Sequence, residues 1–378
     1  MDRLRAPRTE LEDLTPYDAK DVHADIVLAA NESPHNLPGE ILDRLADHVR
    51  EQIPFNRYPD PLATRLRTMI AEANGLEADN VLVGNGGDEI ILDIVLAWGG
   101  PGRTLVDLPP TFAMYGVDAR MTGTGVIELP RLADFSVDGP ALFATIAEHD
   151  PDIIVVANPN NPTGSMVPET LLIDVLNATD ALVLVDEAYF EFSRQTMRPH
   201  MERHPNLAIL RTFSKAFSLA GLRAGYLLAH EDLIRELTKV RQPYSVNRFT
   251  QVAAALAFRE RVVFEAGVRE TMRNRDALLH GLDAIEGVEV FSSEANFVLF
   301  RMEHASAVWR DLLHDHSILV RDLSRAAGLE DCLRVTVGTE EEITRFLSAM
   351  DEIMASKRLA AHFGLAATAS RHLERDGE

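Results

Sequence analysis

LRTFSKAFSLAGLRAGYLLA, residues 210–229, sets a lysine, Lys215, between a short apolar run and a segment rich in small residues. Lysine is ordinarily a surface residue. Here Leu207, Ala208, Ile209 and Leu210 precede it, and Ala216, Phe217, Leu219 and Ala220 follow. Apolar surroundings disfavour the ammonium and free the amine to attack a carbonyl. A lysine that closes a loop with its ammonium in water satisfies the same stretch, so the choice depends on the rest of the chain.

Two other apolar runs end in polar residues of a related kind. Ile153 to Ala157 leads into ANPNNPTG (157–164), with Asn158, Asn160 and Asn161, and Ala181 to Val185 leads into DEAYFEF (186–192), with Asp186 and Tyr189. Ligands of open α/β sheets bind outside the carboxyl ends of the strands. If the three runs lie in one sheet, Asn161, Asp186 and Lys215 converge. Each residue type has a task in holding pyridoxal phosphate. The amine bonds to its carbonyl carbon, a buried carboxylate pairs with the ring nitrogen, and an amide and a phenol donate to the ring oxygen. Turns and helix caps are the alternatives, since Asn, Pro and Gly form turns and Asp caps helices.

GNGGDE (84–89) follows another apolar run and opens a helical one. The backbone N–H groups of Gly86, Gly87 and Asp88 can therefore face an anion with the helix dipole behind them. The spacing is that of neither a dinucleotide fingerprint nor a Walker loop. Ser214 and Arg223, on either side of Lys215, add a hydroxyl and a guanidinium suited to a phosphate. Phe112, in LPPTFAMY (108–115), offers a stacking face or an ordinary core ring.

At 378 residues, 46% hydrophobic and 25% charged, the chain is long enough for two domains and a substantial core. A net charge of -22 argues against nucleic acid and anionic membrane as partners, and an anionic ligand then requires a local arginine cluster. The single cysteine, Cys332, excludes an intramolecular disulfide framework. With no signal-like or membrane-length apolar run, this places the chain in the cytoplasm.

Candidate strands at Asn80 to Val83, Thr104 to Leu108, Gly125 to Leu129 and Ala224 to Ala229, with the three already named, are in several cases continuous apolar runs, which predicts a mainly parallel sheet buried on both faces. Helices are expected over Asp88 to Trp98, Pro168 to Asn177, Asp232 to Arg241 and, as one long span, Val252 to Asp283. The texture then changes to short strands at Gly287 to Phe291, Asn296 to Arg301, Ser317 to Asp322 and Cys332 to Val337. Helices over Ala305 to His314 and from Glu340 to about Lys357 accompany them, giving a smaller α+β unit.

The motifs NPNNPTG, DEAYFEF and TFSKAFSLAGLRAG, in this order and spacing, resemble those of the class II aminotransferases, pyridoxal-phosphate enzymes of fold type I. The resemblance runs from about Pro16 to Lys357. It implies an α/β fold with a large cofactor domain over residues 31–270 and a small domain from residues 1–30 and 271–378. It implies Lys215 as the Schiff-base lysine, Asp186 as partner of the ring nitrogen, Asn161 and Tyr189 at the phenolic oxygen, and Gly87, Asp88, Ser214 and Arg223 at the phosphate. It also implies a homodimer with sites at the interface, where Tyr58 of RYPDP (57–61) reaches the neighbouring subunit's cofactor; no metal is expected.

Within that family, LTPY (14–17), NESP (31–34), RYPDP, RQPYSVN (241–247), VRD (320–322) and CLRVTVGT (332–339) are similar to the histidinol-phosphate aminotransferases. Arg321, Arg334 and Tyr17 are then expected at the substrate phosphate, Tyr244 and Asn247 near its imidazole, and Asn31 in the same pocket, with 2-oxoglutarate as amino acceptor. Phe112 stands where many members have tyrosine, and Ser245 where asparagine is frequent. An aromatic amino acid aminotransferase and a threonine-phosphate decarboxylase are the alternatives, since Arg334 binds a carboxylate as readily as a phosphate.

Overall fold

The computed structural model describes residues 5, 8–11, 22–51 and 53–362. Its strands are β1 (Ile26–Leu28), β2 (Val81–Gly84), β3 (Thr104–Asp107), β4 (Gly125–Glu128), β5 (Ile153–Ala157), β6 (Leu182–Asp186), β7 (Leu207–Thr212), β8 (Gly225–Ala229), β9 (Val288–Val290), β10 (Phe297–Met302), β11 (Ile318–Asp322) and β12 (Cys332–Thr336). The helices are α1 (Gly39–Glu51), α2 (Thr64–Asn74), α3 (Gly86–Trp98), α4 (Met114–Thr122), α5 (Gly139–His149), α6 (Glu169–Ala178), α7 (Phe190–Ser193), α8 (Glu231–Val240), α9 (Arg248–Arg259), α10 (Glu265–Asp283), α11 (Ala305–His316) and α12 (Glu340–His362).

Among the described residues the larger sheet has seven strands in the order β2-β8-β7-β6-β5-β3-β4. Strand β8 runs antiparallel to both of its neighbours, and the remaining pairings are parallel. The continuous apolar runs exist because alternate residues feed two different cores. Val183, Val185, Leu207 and Ile209 face α2, α5, α6 and α9, whereas Leu182, Leu184, Ala208 and Leu210 face α3, α4 and α8. On the central strands β5 and β6, with both faces covered, no position is left for a polar side chain until the strand ends, whereas the edge strand β4 is partly exposed.

The smaller sheet, β1-β11-β12-β10-β9, joins one strand from the N-terminal side to four from the C-terminal side. Ile26, Leu28, Phe300, Val320 and Val335 point into a core closed by α10, α11 and α12. The fold is thus the expected α/β arrangement with a smaller α+β part from both ends of the chain. One expected helix divides. The span Val252 to Asp283 breaks between α9 and α10, where Arg261–Phe264 form a 3-10 turn. Val262, Val263 and Phe264 are consecutive apolar residues without helical period; the turn buries Phe264 against Phe217, ring centroids 5.4 Å apart, and leaves Val262 outside.

Candidate active site

Strands β5, β6 and β7 are adjacent and parallel, so the residues that follow them gather at one edge of the sheet. A cavity of about 360 Å³ opens there. Lys215, Asp186, Asn161 and Tyr189 line it on one side of the sheet order, and Gly87, Asp88, Ser214, Arg223 and Phe112 complete it. The convergence follows from sheet order, because three neighbouring parallel strands must end at the same edge.

Lys215 Nζ donates to the Ala30 carbonyl at 3.2 Å. Burial, reinforced by the Arg334 guanidinium, lowers its pKa from 10.5 to about 8. A sizeable neutral fraction at mildly alkaline pH is what a nucleophilic amine requires. Asp186, the last residue of β6, is buried, and burial raises its carboxyl to about 6 against hydrogen bonds that favour the anion. Its Oδ2 accepts from the Tyr115 hydroxyl at 2.6 Å and its Oδ1 from the Ala188 N–H at 2.9 Å.

Beside Lys215, α3 starts at Gly86 and the Arg223 guanidinium lies over its first turn, with Nη2 2.7 Å from Asp88 Oδ2. The approach is close. A Cβ on Gly225 would stand 2.8 Å from the Gly86 carbonyl carbon, and Gly86 itself has φ +84°, with Arg223 where its side chain would be. Glycine is required at both places. The antiparallel pairing of β2 with β8 matches Gly84 to Gly225 and so brings the start of α3 against the Lys215–Arg223 segment.

The smaller sheet closes the other side. Arg334, on β12, donates through Nη1 to Asn161 Oδ1 and through Nη2 to the Ala29 carbonyl at 2.8 Å, and its guanidinium lies 5.3 Å from the Phe297 ring centre. Asn31 is buried with φ 55°, a conformation asparagine tolerates. Its Nδ2 donates to the Tyr189 hydroxyl at 2.9 Å and its N–H to Thr336 Oγ1 at 2.9 Å. Burial raises the Tyr189 phenol to about 12, which keeps it a donor. Arg321 on β11 and Arg334 on β12 are direct cross-strand partners, so both leave the sheet on the same face, the one turned away from the core under α10 to α12.

Other sequence-selected residues lie elsewhere in the single chain. Tyr58 is 78% exposed and stacks on Tyr244, ring centroids 4.8 Å apart. Arg248 donates to the Tyr58 carbonyl, and Ser245 Oγ donates to Glu89. Asn247 caps α9: its Oδ1 accepts from the Thr250 N–H and its Nδ2 donates to Thr250 Oγ1, both at 2.9 Å, so both ends of the amide are engaged away from the cavity. Tyr17 lies outside the described residues. Sequence reasoning missed Tyr115, although it sits three residues beyond Phe112 on the same segment after β3 and lines the same cavity.

Residues 24–350 match the family described as aminotransferase class I and II. The histidinol-phosphate aminotransferase 1 of Carboxydothermus hydrogenoformans is 39% identical over 94% of this chain and all of its own length. Among solved structures, the histidinol-phosphate aminotransferase of Sinorhizobium meliloti in complex with pyridoxal 5'-phosphate superposes with a TM-score of 0.81 at 24% identity, covering 88% of this chain and 91% of that one. The L-threonine-O-3-phosphate decarboxylase of Porphyromonas gingivalis has the same fold, with a TM-score of 0.77 at 26% identity over 87% of this chain and 99% of its own. A cavity built at adjoining strand ends around a half-buried lysine, in a chain matched over most of its length, leads to one conclusion: this protein belongs to the class I and II aminotransferases.

Proposed function

We propose that the enzyme carries pyridoxal 5'-phosphate and transfers the amino group of histidinol phosphate to 2-oxoglutarate, a step of histidine biosynthesis. The observation that carries the substrate assignment is the Arg321–Arg334 pair. Two guanidinium-bearing residues directly opposite on neighbouring strands repel one another, and an ordered cross-strand pair of this kind is stabilised by an anion of double charge between them. In a chain of net charge -22 such a pair also supplies the local attraction for that group.

The cavity fits the cofactor chemically. Gly86, Gly87, Asp88, Ser214 and Arg223 would hold its phosphate, Asn161 and Tyr189 its phenolic oxygen, Asp186 its ring nitrogen and Phe112 a ring face, while Lys215 bonds to its carbonyl carbon. When bound, the cofactor supplies an electron sink next to the substrate carbon that bears nitrogen. Once the substrate amine has displaced it from the cofactor's carbonyl carbon, the freed Lys215 amine, with its pKa lowered to about 8, would take the proton from the substrate carbon and return it. Asp186 keeps a negative charge in a buried place, and Asn31 orients the Tyr189 hydroxyl by donating to its oxygen. Asn31, Tyr17 and Tyr244 would complete the substrate pocket.

In this reading residues 31–270 form the cofactor domain and the protein is a cytoplasmic homodimer, with the exposed Tyr58 reaching the partner's phosphate site. The test is kcat/KM for histidinol phosphate, phenylalanine and O-phosphothreonine, each with 2-oxoglutarate. Histidinol phosphate should lead phenylalanine by at least about 100-fold, since a site that draws its affinity from a doubly charged group rejects an analogue that lacks it. Preference for phenylalanine, or carbon dioxide release from O-phosphothreonine, would overturn the assignment.

A further inference from the structure

The carboxylate assigned to the ring nitrogen is itself held by a residue to which nothing above gives a role. Tyr115 lies at the start of α4, 1% exposed, with its hydroxyl 2.6 Å from Asp186 Oδ2. The direction of this bond is fixed. Burial and the neighbouring Asp186 charge push the phenol far above its ordinary pKa, so the phenol keeps its proton and donates. Toward an ionised carboxylate a protonated phenol can only donate, and that bond favours the ionised form of Asp186. The ring is also locked in place: Phe112 meets it edge-on at 5.6 Å and 80°, and it packs in the core beneath α3 and α8.

Other groups around Asp186 oppose ionisation. Burial is the largest, and Asp88 at the start of α3 and Glu187, next in the chain, act in the same direction. Favouring the anion are the Tyr115 hydroxyl and the Ala188 N–H. Tyr115 itself also faces Asp107, at the end of β3, and Tyr189. Asp186 thus stands between a neutral acid and a carboxylate, and Tyr115 is the side chain that tips it toward the carboxylate. The two oxygens are also divided by this bond. Tyr115 takes Oδ2 and Ala188 takes Oδ1, which fixes the carboxylate plane.

We infer that Tyr115 is a positioning residue: its hydroxyl keeps Asp186 charged and its plane fixed, so that the bound cofactor's ring nitrogen meets a carboxylate and not a carboxylic acid. This rests on the cofactor reading above, and the experiment separates the two. Pyridoxal phosphate dissociation is measured against pH for wild type, Tyr115→Phe, Asp186→Asn and the double variant, by equilibrium dialysis and by the absorbance of the protein-bound cofactor. Tyr115→Phe should raise the dissociation constant about 10- to 100-fold, the worth of one charge-assisted hydrogen bond. The acid side of its binding profile should also move to higher pH. In the Asp186→Asn background the same change should have little further effect.

Equal losses in both backgrounds, or a Tyr115→Phe profile that coincides with wild type, would overturn the inference. Replacement of Tyr115 by 3-fluorotyrosine, a stronger donor of the same shape, should move the acid limb the opposite way. No movement there refutes the role even if Tyr115→Phe folds poorly. Failure of wild type to bind pyridoxal phosphate overturns the functional reading and this inference with it, whereas wild-type binding with additive variants overturns this inference alone.

Discussion

The Arg334 guanidinium, carried by the smaller sheet, donates to the side-chain oxygen of Asn161, which follows β5 of the larger one. With the Asn31 to Tyr189 hydrogen bond, this contact ties the smaller sheet to the strand ends of the larger one. The same guanidinium acts on Lys215, whose ammonium it disfavours.

Arg334→Gln removes the charge and keeps an amide that can reach Asn161. Losing a nearby cation makes the Lys215 ammonium easier to form, so its pKa should rise from about 8 toward 10.5. The rate at which the apoprotein takes up pyridoxal phosphate, followed against pH, should show its half-point displaced upward. The KM for histidinol phosphate should rise about 10- to 100-fold. An unmoved half-point would contradict the electrostatic link.

Lys215→Ala should abolish turnover, by at least about 10^4-fold, together with the absorbance of the lysine-bound cofactor. Single-turnover kinetics and spectra on one preparation decide it. Substantial retained turnover would remove Lys215 from the chemistry.

Asp186→Asn separates stability from function. The folded Asp186 carboxyl titrates at about 6, above its ordinary 3.8, so the folded state binds the proton more tightly than the unfolded one. The contribution is stabilising and complete below pH 3.8, and it is lost as pH rises through 6. Above pH 6 the buried charge costs roughly 3 kcal/mol relative to acid conditions. Asp186→Asn should accordingly raise the Tm of the apoprotein at pH 8 and lose that advantage near pH 4, while turnover falls steeply. Thermal unfolding at both pH values provides the check.

Gly225→Ala tests the phosphate end. Its new methyl would press on the Gly86 carbonyl carbon at 2.8 Å and the Gly87 nitrogen at 2.9 Å, both backbone atoms that cannot yield without moving the start of α3. The expected outcome is a destabilisation of about 1–3 kcal/mol with weaker cofactor binding, measured by titration with pyridoxal phosphate. Unchanged binding would show that this helix start does not hold the phosphate.

The strands were legible because their physical constraint is local. Residues such as Ile153 to Ala157 fill two cores alternately, and the sequence records that as an unbroken apolar run ending in polar residues. Five helices, α1, α2, α4, α5 and the four-residue α7, escaped. In α4 the sequence MYGVDARMT has a glycine and little periodicity, and the helix is selected by burial of Tyr115 and Ala119 against the sheet. In α1, by contrast, Ile41 and Leu45 did carry a helical spacing that went unread. The Tyr115–Asp186 bond spans 71 positions and exists only once α4 is docked, so no local pattern announces it. Asn247 illustrates the reverse: its residue type suited a ligand contact, but the start of α9 claimed it as a cap.

The reversed strand β8 has a consequence for how a ligand is retained. A parallel partner for β7 would have required a long crossover and returned the chain at the opposite edge. Because β8 runs back, the segment from Phe213 to Ala224 leaves and re-enters the sheet at one edge, its ends joined by the Phe213 N–H to Ala224 carbonyl hydrogen bond at 3.0 Å. Lys215 and Arg223 sit near the two ends of that closed strap. The covalent and ionic anchors proposed for the cofactor would thus be mechanically one part, and a single local opening of the chain, at that hydrogen bond, would slacken both grips at once.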